Sequence, residues 1–294
     1  MPGILDGKFG IITGGSRGIG EAIAHNLAEK GCSLLLVYTS ATSQSRTEQL
    51  TATLSKTHGI RCTCVQADLS RPEDSVPLIM EAAKRSSAEE FRLDILINNA
   101  GISEDRLLND PEKGPIEPAY FTRQYTVNVL APLLLTQACA PYLPKTAQRG
   151  RIVNISSVSS SMGFTGQSVY GGTKAALEAM TRTWARELAT RATVNSVNPG
   201  PVVGDMYFAT GEGFWKQMQK FQDSAPLSEM RFDSGDEVEE LGVHNAALVR
   251  EKMGGRRPAF TREIAGVVGM LCTPDAEWTT GSVVSANGGM RMGI

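Results

Sequence analysis

Tyr170 and Lys174 lie four residues apart in the run Tyr170-Gly171-Gly172-Thr173-Lys174. That spacing puts two side chains on one face of a helix. An ammonium beside a phenol favours the phenolate, so the pair predicts a phenol pKa below its usual value of about 10. Such a tyrosine can exchange a proton with a substrate oxygen near neutral pH. The spacing alone also fits two unrelated surface residues. A second hydroxyl bears on the choice. Arg151-Ile152-Val153-Asn154-Ile155-Ser156-Ser157 reads as a buried strand ending in serines. Ser157 at the strand end can hydrogen-bond the same substrate oxygen, whereas Ser156 points the other way if the strand continues.

The other chemical signal is Thr13-Gly14-Gly15-Ser16-Arg17-Gly18-Ile19-Gly20. Apolar Phe9-Gly10-Ile11-Ile12 precedes it, and a run with helical spacing, Glu21 to Ala28, follows. Strand, glycine turn and helix in that order let the backbone turn sharply and approach a ligand. The helix start then offers free N–H groups and a positive dipole end to an anion. A dinucleotide pyrophosphate fits, although glycines also make ordinary turns. In such folds a carboxylate at the end of the second strand binds the ribose 2′-hydroxyl of NAD. Here that end reads Val37-Tyr38-Thr39-Ser40, with no carboxylate, while Arg17 in the turn can reach a 2′-phosphate. Both features favour NADP(H).

In order along the chain stand the 13–20 turn, Asp68-Leu69, Asn98-Asn99-Ala100-Gly101, Asn128, Ser157, Tyr170 with Lys174, Asn198-Pro199-Gly200 and Asn287-Gly288-Gly289. Together they resemble the short-chain dehydrogenase/reductase family, of the compact single-domain kind, across nearly the whole chain. The general similarity is to 3-oxoacyl and hydroxynaphthalene-type reductases. The resemblance implies a catalytic group of Asn128, Ser157, Tyr170 and Lys174. Tyr170 donates the proton in carbonyl reduction and Ser157 holds the substrate oxygen. Lys174 lowers the tyrosine pKa and binds the nicotinamide ribose, and Asn128, in a long helix, helps hold a water that relays protons. The cofactor would lie along Gly14, Ser16, Arg17, Gly18, Ile19 and Gly20, then Tyr38, Thr39 and Ser40. Asp68 with Leu69 would meet the adenine, Asn98, Ala100 and Gly101 the adenosine, and Pro199, Gly200 and the Val202 backbone the carboxamide. One departure stands out: where the family often has a threonine near the carboxamide, this chain has Gly204 followed by Asp205.

The elements must place these groups. Strands are expected at 9–13, 33–37, 61–66, 93–97, 150–155, 192–197 and 282–285, and helices at 18–30, 43–57, 73–88, 119–143, 168–190 and 261–272. Alternating strands and helices imply an α/β fold with a parallel sheet covered on both faces. The expectation is a Rossmann-like, doubly wound, seven-stranded sheet in the order 3-2-1-4-5-6-7, as one domain over residues 1–294. Residues 204–258 break the alternation with helical and charged character. A substrate lid is expected there, with Phe214, Trp215, Met218 and Phe221 forming one apolar face and Gly211 and Gly213 as pivots. The acidic run Asp233 to Glu240 is expected to be a solvated face.

The formal net charge of −2 gives no electrostatic case for nucleic acid or an anionic membrane. No apolar run reaches the roughly 18–20 residues of a membrane span, and no signal peptide is visible. Five cysteines lack metal-ligand spacing, so no metal site is expected, and their odd count suits a reducing, cytoplasmic setting. Leu130, Leu133, Leu134, Leu177, Met180 and Trp184 leave the 119–143 and 168–190 helices apolar on more than one side. With the family's habit of pairing these helices, a homodimer or homotetramer is expected. The function expected is NADPH-dependent reduction of a small-molecule ketone. Apolar lid residues with Met162 and Phe164 point to an apolar, aromatic or polyketide-like carbonyl. The rivals are an oxidative alcohol or sterol dehydrogenase, a non-catalytic NADP(H)-binding protein, and a cyclase or isomerase on the same fold.

Overall fold

Short, nearly unbroken apolar runs form the centre of the molecule, as strands covered on both faces must. The computed structural model describes residues 3–86, 90–145, 149–204, 207–208, 211–233 and 235–292. The strands are β1 (Phe9–Thr13), β2 (Ser33–Tyr38), β3 (Cys62–Gln66), β4 (Ile95–Asn98), β5 (Gly150–Ile155), β6 (Ala192–Pro199) and β7 (Val283–Ala286). They pair in parallel in the order β3-β2-β1-β4-β5-β6-β7, which is the order the sequence implies. Register places Ile11 beside Leu35 and Leu96, so the central strands stack apolar against apolar.

Helices α1 (Gly18–Glu29), α2 (Gln44–His58), α3 (Pro72–Ser86), α4 (Pro118–Tyr125), α5 (Ala131–Cys139), α6 (Ser159–Met162) and α7 (Ser168–Glu187) follow. They are joined by α8 (Gly211–Asp223), α9 (Gly235–Leu241), α10 (Val243–Lys252) and α11 (Thr261–Cys272). One apolar core packs Ile23, Leu27, Leu50 and Val268 from α1, α2 and α11 against one sheet face. The other packs Ile79, Leu135, Leu177 and Trp184 from α3, α5 and α7 against the opposite face.

Three differences from the sequence expectation have local causes. The helix expected over 119–143 is interrupted by a π-helical turn, Thr126–Leu130, between α4 and α5. Pro132 has no N–H to give the carbonyl four residues back, so the regular ladder cannot run through it. Second, the connection from β4 to α4 carries a small antiparallel pair, Asn109–Asp110 with Gly114–Pro115. Third, the acidic run is not wholly solvated. Asp236, Glu239 and Glu240 are exposed, but Glu237 is buried between Arg231 at 3.0 Å and Arg257 at 3.4 Å. Arg257 also meets Glu263 at 2.9 Å. Burying that carboxylate requires such partners.

The region around 204–258 folds on its own small core. Tyr207, Trp215, Met230, Leu241, Val249, Met253 and Phe260 pack together. Met218 and Phe221 turn the other way, toward Val158, Phe164, Ala225 and Met290, with Phe214 between the two clusters. The four residues expected on a single face are therefore divided between two. Asp205 lies outside the described residues.

Candidate active site

The β1–α1 turn is fixed by contacts from β4. Thr13 Oγ1 accepts the N–H groups of Asn99 and Ala100, both at 3.0 Å, and donates to Ile97 O. Asn99 Nδ2 donates to the carbonyls of Thr13 at 2.9 Å and Gly14 at 3.1 Å. Gly14 and Gly18 have φ of 63° and 58°, which favours glycine. A Cβ on Gly20 would stand 2.1 Å from Gly14 O, so the helix start can approach the turn only without one. Arg17, the residue before α1, is exposed and leaves the helix start without a side-chain cap. The first N–H groups of α1, beginning near Ile19, thus stay available to an anion. Ser16 is buried in the turn. Sequence reasoning missed Thr13 and Asn99, whose partners lie more than eighty residues away.

At the end of β2, Tyr38 is buried and Thr39 and Ser40 are exposed. Ser40 Oγ bonds Thr42 Oγ1 at 2.8 Å. Asp68 also shapes the chain locally: its Oδ1 accepts Ser70 N–H at 3.0 Å, turning the chain into α3. Leu69 is buried and presents only backbone. The Asn98 side chain is buried, its amide donating to Thr136 Oγ1 and Asn154 Oδ1 at 3.2 and 2.8 Å, so it braces the sheet interior and leaves only its backbone for an adenosine. Ala100 and Gly101 continue the edge of the turn. A Cβ on Gly101 would lie 3.3 Å from Lys174 Nζ and 3.2 Å from Asn128 Oδ1, so the chain passes close beside both side chains there. At the β6 end, Gly200 passes close to Asn287. The bridge of Val202 to Ala259 is made through Val203 N–H and Pro201 O, which leaves the Val202 N–H and C=O outside that ladder.

Ser157, Tyr170 and Lys174 come together between β5 and α7. Ser157 lies close enough to Tyr170 to lower the phenol's pKa, while its Oγ donates to Ser159 Oγ at 3.1 Å. Gly171 permits the approach, since a Cβ there would be 2.6 Å from Ser159 O. Lys174 is buried, 5.7 Å from the Tyr170 ring centre, and its Nζ donates to Ile155 O at 2.8 Å. Asn128, in the π turn, accepts Ile102 N–H at 2.9 Å and donates to Ile102 O and Thr173 Oγ1 at 2.8 and 3.1 Å. Its amide is thereby spent on holding the β4 loop to α7. Behind the lysine, Glu178 Oε1 accepts from Ser156 Oγ at 2.6 Å and Asn198 Nδ2 at 3.0 Å. Asn198 also donates to Ser157 O at 2.9 Å, so it fixes the serine from below. Sequence reasoning did not single out Glu178, although its helical spacing from Lys174 was a usable signal.

The electrostatics correct one expectation. Burial pushes the Tyr170 phenol above its usual range, the nearby Ser157 hydroxyl opposes this, and the Asp105 charge adds to it. The neighbouring lysine, whose Nζ donates to Ile155 O, does not offset that burial. Burial lowers the Lys174 pKa to about 8, against the pull of Glu178. A tyrosine that keeps its proton suits a proton donor.

Residues 8–213 match the short chain dehydrogenase family. The chain is 71% identical to an L-xylulose reductase of Aspergillus niger over 98% of both sequences. It is 56% identical to an L-xylo-3-hexulose reductase of Hypocrea jecorina, again over 98% of each. Among solved structures it resembles a blue fluorescent protein from a metagenomic library, in complex with NADPH. That match has a TM-score of 0.78 and 31% identity, covering 98% of this chain and 99% of that one.

Proposed function

The chain belongs to the short-chain dehydrogenase family, and we propose that it reduces a ketose to the corresponding sugar alcohol with NADPH. The observation that carries the reading is the gathering of Ser157, Tyr170 and Lys174, with the phenol's pKa raised by burial and Lys174 buried 5.7 Å from its ring. The resident groups fit the cofactor: the uncapped α1 start for the pyrophosphate, Arg17 for the 2′-phosphate, and Lys174 for the nicotinamide ribose. When bound, NADPH supplies hydride to the carbonyl carbon. Ser157 Oγ donates a hydrogen bond to the carbonyl oxygen and holds it at Tyr170. Tyr170 passes its proton to that oxygen as negative charge develops there. Lys174 orients the ribose, and Asn128 and Glu178 brace the elements on either side. The free main-chain groups of Val202 serve the carboxamide.

The ketose reading replaces the apolar ketone expected from sequence. Trp215 packs inside the small core of the insertion, and Met162, Phe164 and Phe221 largely cover one another. Those side chains therefore supply no free apolar wall, and the sugar-ketone reductases at 71% and 56% identity favour a hydroxylated substrate. The insertion acts as the substrate cover. Among the described residues no helix is long and apolar enough to cross a membrane. A cytoplasmic setting and a homodimer or homotetramer complete the proposal, the latter supported by half-exposed Leu130, Leu133 and Leu134.

The test is NADPH and NADH oxidation by the purified protein with L-xylulose and other ketoses, with the polyol product identified. Ketose-dependent NADPH oxidation is expected, with NADPH favoured at least tenfold in kcat/KM. That factor corresponds to about 1.4 kcal/mol, within what an arginine–phosphate contact contributes. Arg17→Ala should collapse the preference. Equal use of NADH by wild type, or no polyol from any ketose, overturns the reading.

A further inference from the structure

The loop after β4 meets the turn before α7 beside Tyr170. Its course is set firmly: Tyr120 Oη donates to Glu104 O, and Gln124 Nε2 reaches the same oxygen at 3.3 Å. Arg106 N–H donates to Gly166 O at 2.8 Å, tying the loop to the turn. Asp105 lies against that junction, its Cβ 3.5 Å from where a Gly166 side chain would begin. Burial raises the pKa of its carboxyl, and the nearby Gln167 side chain and Lys113 charge oppose this. Gln167 directly precedes α7, three residues before Tyr170, and lines an open cleft of about 770 Å³.

The polar balance of this pair is incomplete. Gln167 lies beside the Asp105 carboxylate, and its Oε1 is buried with no partner. A carboxylate has further acceptor capacity and no proton of its own. Arg106, lining the same cleft, likewise keeps a buried Nε without a partner, so the junction offers both an acceptor and a donor. A hydroxyl can serve either, and a ketone without hydroxyls leaves them unpaired. Sites of this kind discriminate against the analogue lacking the hydroxyl far more strongly than apolar pockets do.

We propose that Asp105 and Gln167 are the specificity-determining pair that reads the hydroxyl groups of a polyhydroxylated ketone held at Tyr170. The assignment rests on the ketose reading above. Gln167→Met keeps the length and removes the acceptor; Asp105→Asn keeps the shape and removes the charge. The measured quantity is the ratio of kcat/KM for L-xylulose to that for 2,3-butanedione, a ketone without hydroxyls, at saturating NADPH. In Gln167→Met the ratio should fall at least tenfold, through a raised KM for the ketose. In Asp105→Asn it should fall at least threefold. Melting temperature and NADPH affinity, read alongside, should stay close to wild type. A wild-type enzyme that reduces L-xylulose while both variants keep its ratio overturns the assignment alone. A wild-type enzyme that reduces butanedione and no hydroxylated ketone overturns the ketose reading and the assignment with it.

Discussion

The cofactor-facing turn and the 204–258 insertion are held in place by opposite means. Around the turn, backbones approach so closely that a single methyl group is excluded: the space at Gly20 ends 2.1 Å away, on Gly14 O. Thr13 and Asn99 add hydrogen bonds of fixed direction. The insertion instead rests on apolar contact around Trp215 and Phe260 and on the buried Arg257–Glu237–Glu263 cluster. A methyl group added at its Gly213 would meet nothing within 4 Å. A site built on close approach tolerates almost no change of residue type. A site built on apolar packing tolerates substitution as long as volume is kept. That difference suits the two tasks, because an invariant phosphate needs fixed N–H groups while a cover can vary with substrate.

The largest effect should come from Gly20→Ala. The added methyl must displace the turn, and NADPH affinity should fall at least a hundredfold in a titration by protein fluorescence. Gly213→Ala in α8 should leave that affinity unchanged and hold or slightly raise the melting temperature, because alanine favours a helix over glycine by up to about 1 kcal/mol. Similar losses in the two variants would erase the contrast.

Trp215→Ala sharpens the comparison from the other side. The indole is 4% exposed and its Nε1 donates to Tyr207 O at 3.3 Å. Truncating a buried tryptophan costs roughly 3–5 kcal/mol. The loss should be confined to the insertion: ketose KM rises about tenfold while NADPH affinity stays within about threefold. Equal damage to both, measured on one preparation, would mean that turn and insertion form a single unit.

The smallest effect is a pH dependence on the cofactor side. Lys174 titrates at about 8, lowered by burial. Below that pH it is charged and donates strongly to the ribose; above it the charge is lost. NADPH affinity should therefore weaken about threefold as pH rises from 7 to 9.5. In Lys174→Met the affinity should be lower and flat over the same range. A flat wild-type profile would remove the lysine from the ribose site.

The sheet order was legible because each strand is a short apolar run and each connection carries a helix. The glycine turn and the Tyr170–Lys174 spacing were legible for a related reason: their geometry is local, decided within a few residues. What the sequence withheld depends on distant partners. The Thr13–Asn99 clamp joins β1 to the end of β4, and Asn198 reaches Ser157 across two strands. The phenol's pKa could not be read from helical spacing, since burial raises it. Trp215 was misdirected for the same cause, as the side chain's direction is set by tertiary packing. The π turn at Thr126–Leu130 was the exception: Pro132 announces it locally.

The proton donor is the centre of this account, and Tyr170→Phe tests it with one change of atom. The variant keeps the ring that packs beside Lys174 and loses only the hydroxyl that stands beside Ser157. Turnover of L-xylulose with saturating NADPH should drop at least a hundredfold, with NADPH affinity within about threefold of wild type. Turnover within tenfold of wild type, on a reaction whose polyol product is verified, would contradict it and place the proton source elsewhere.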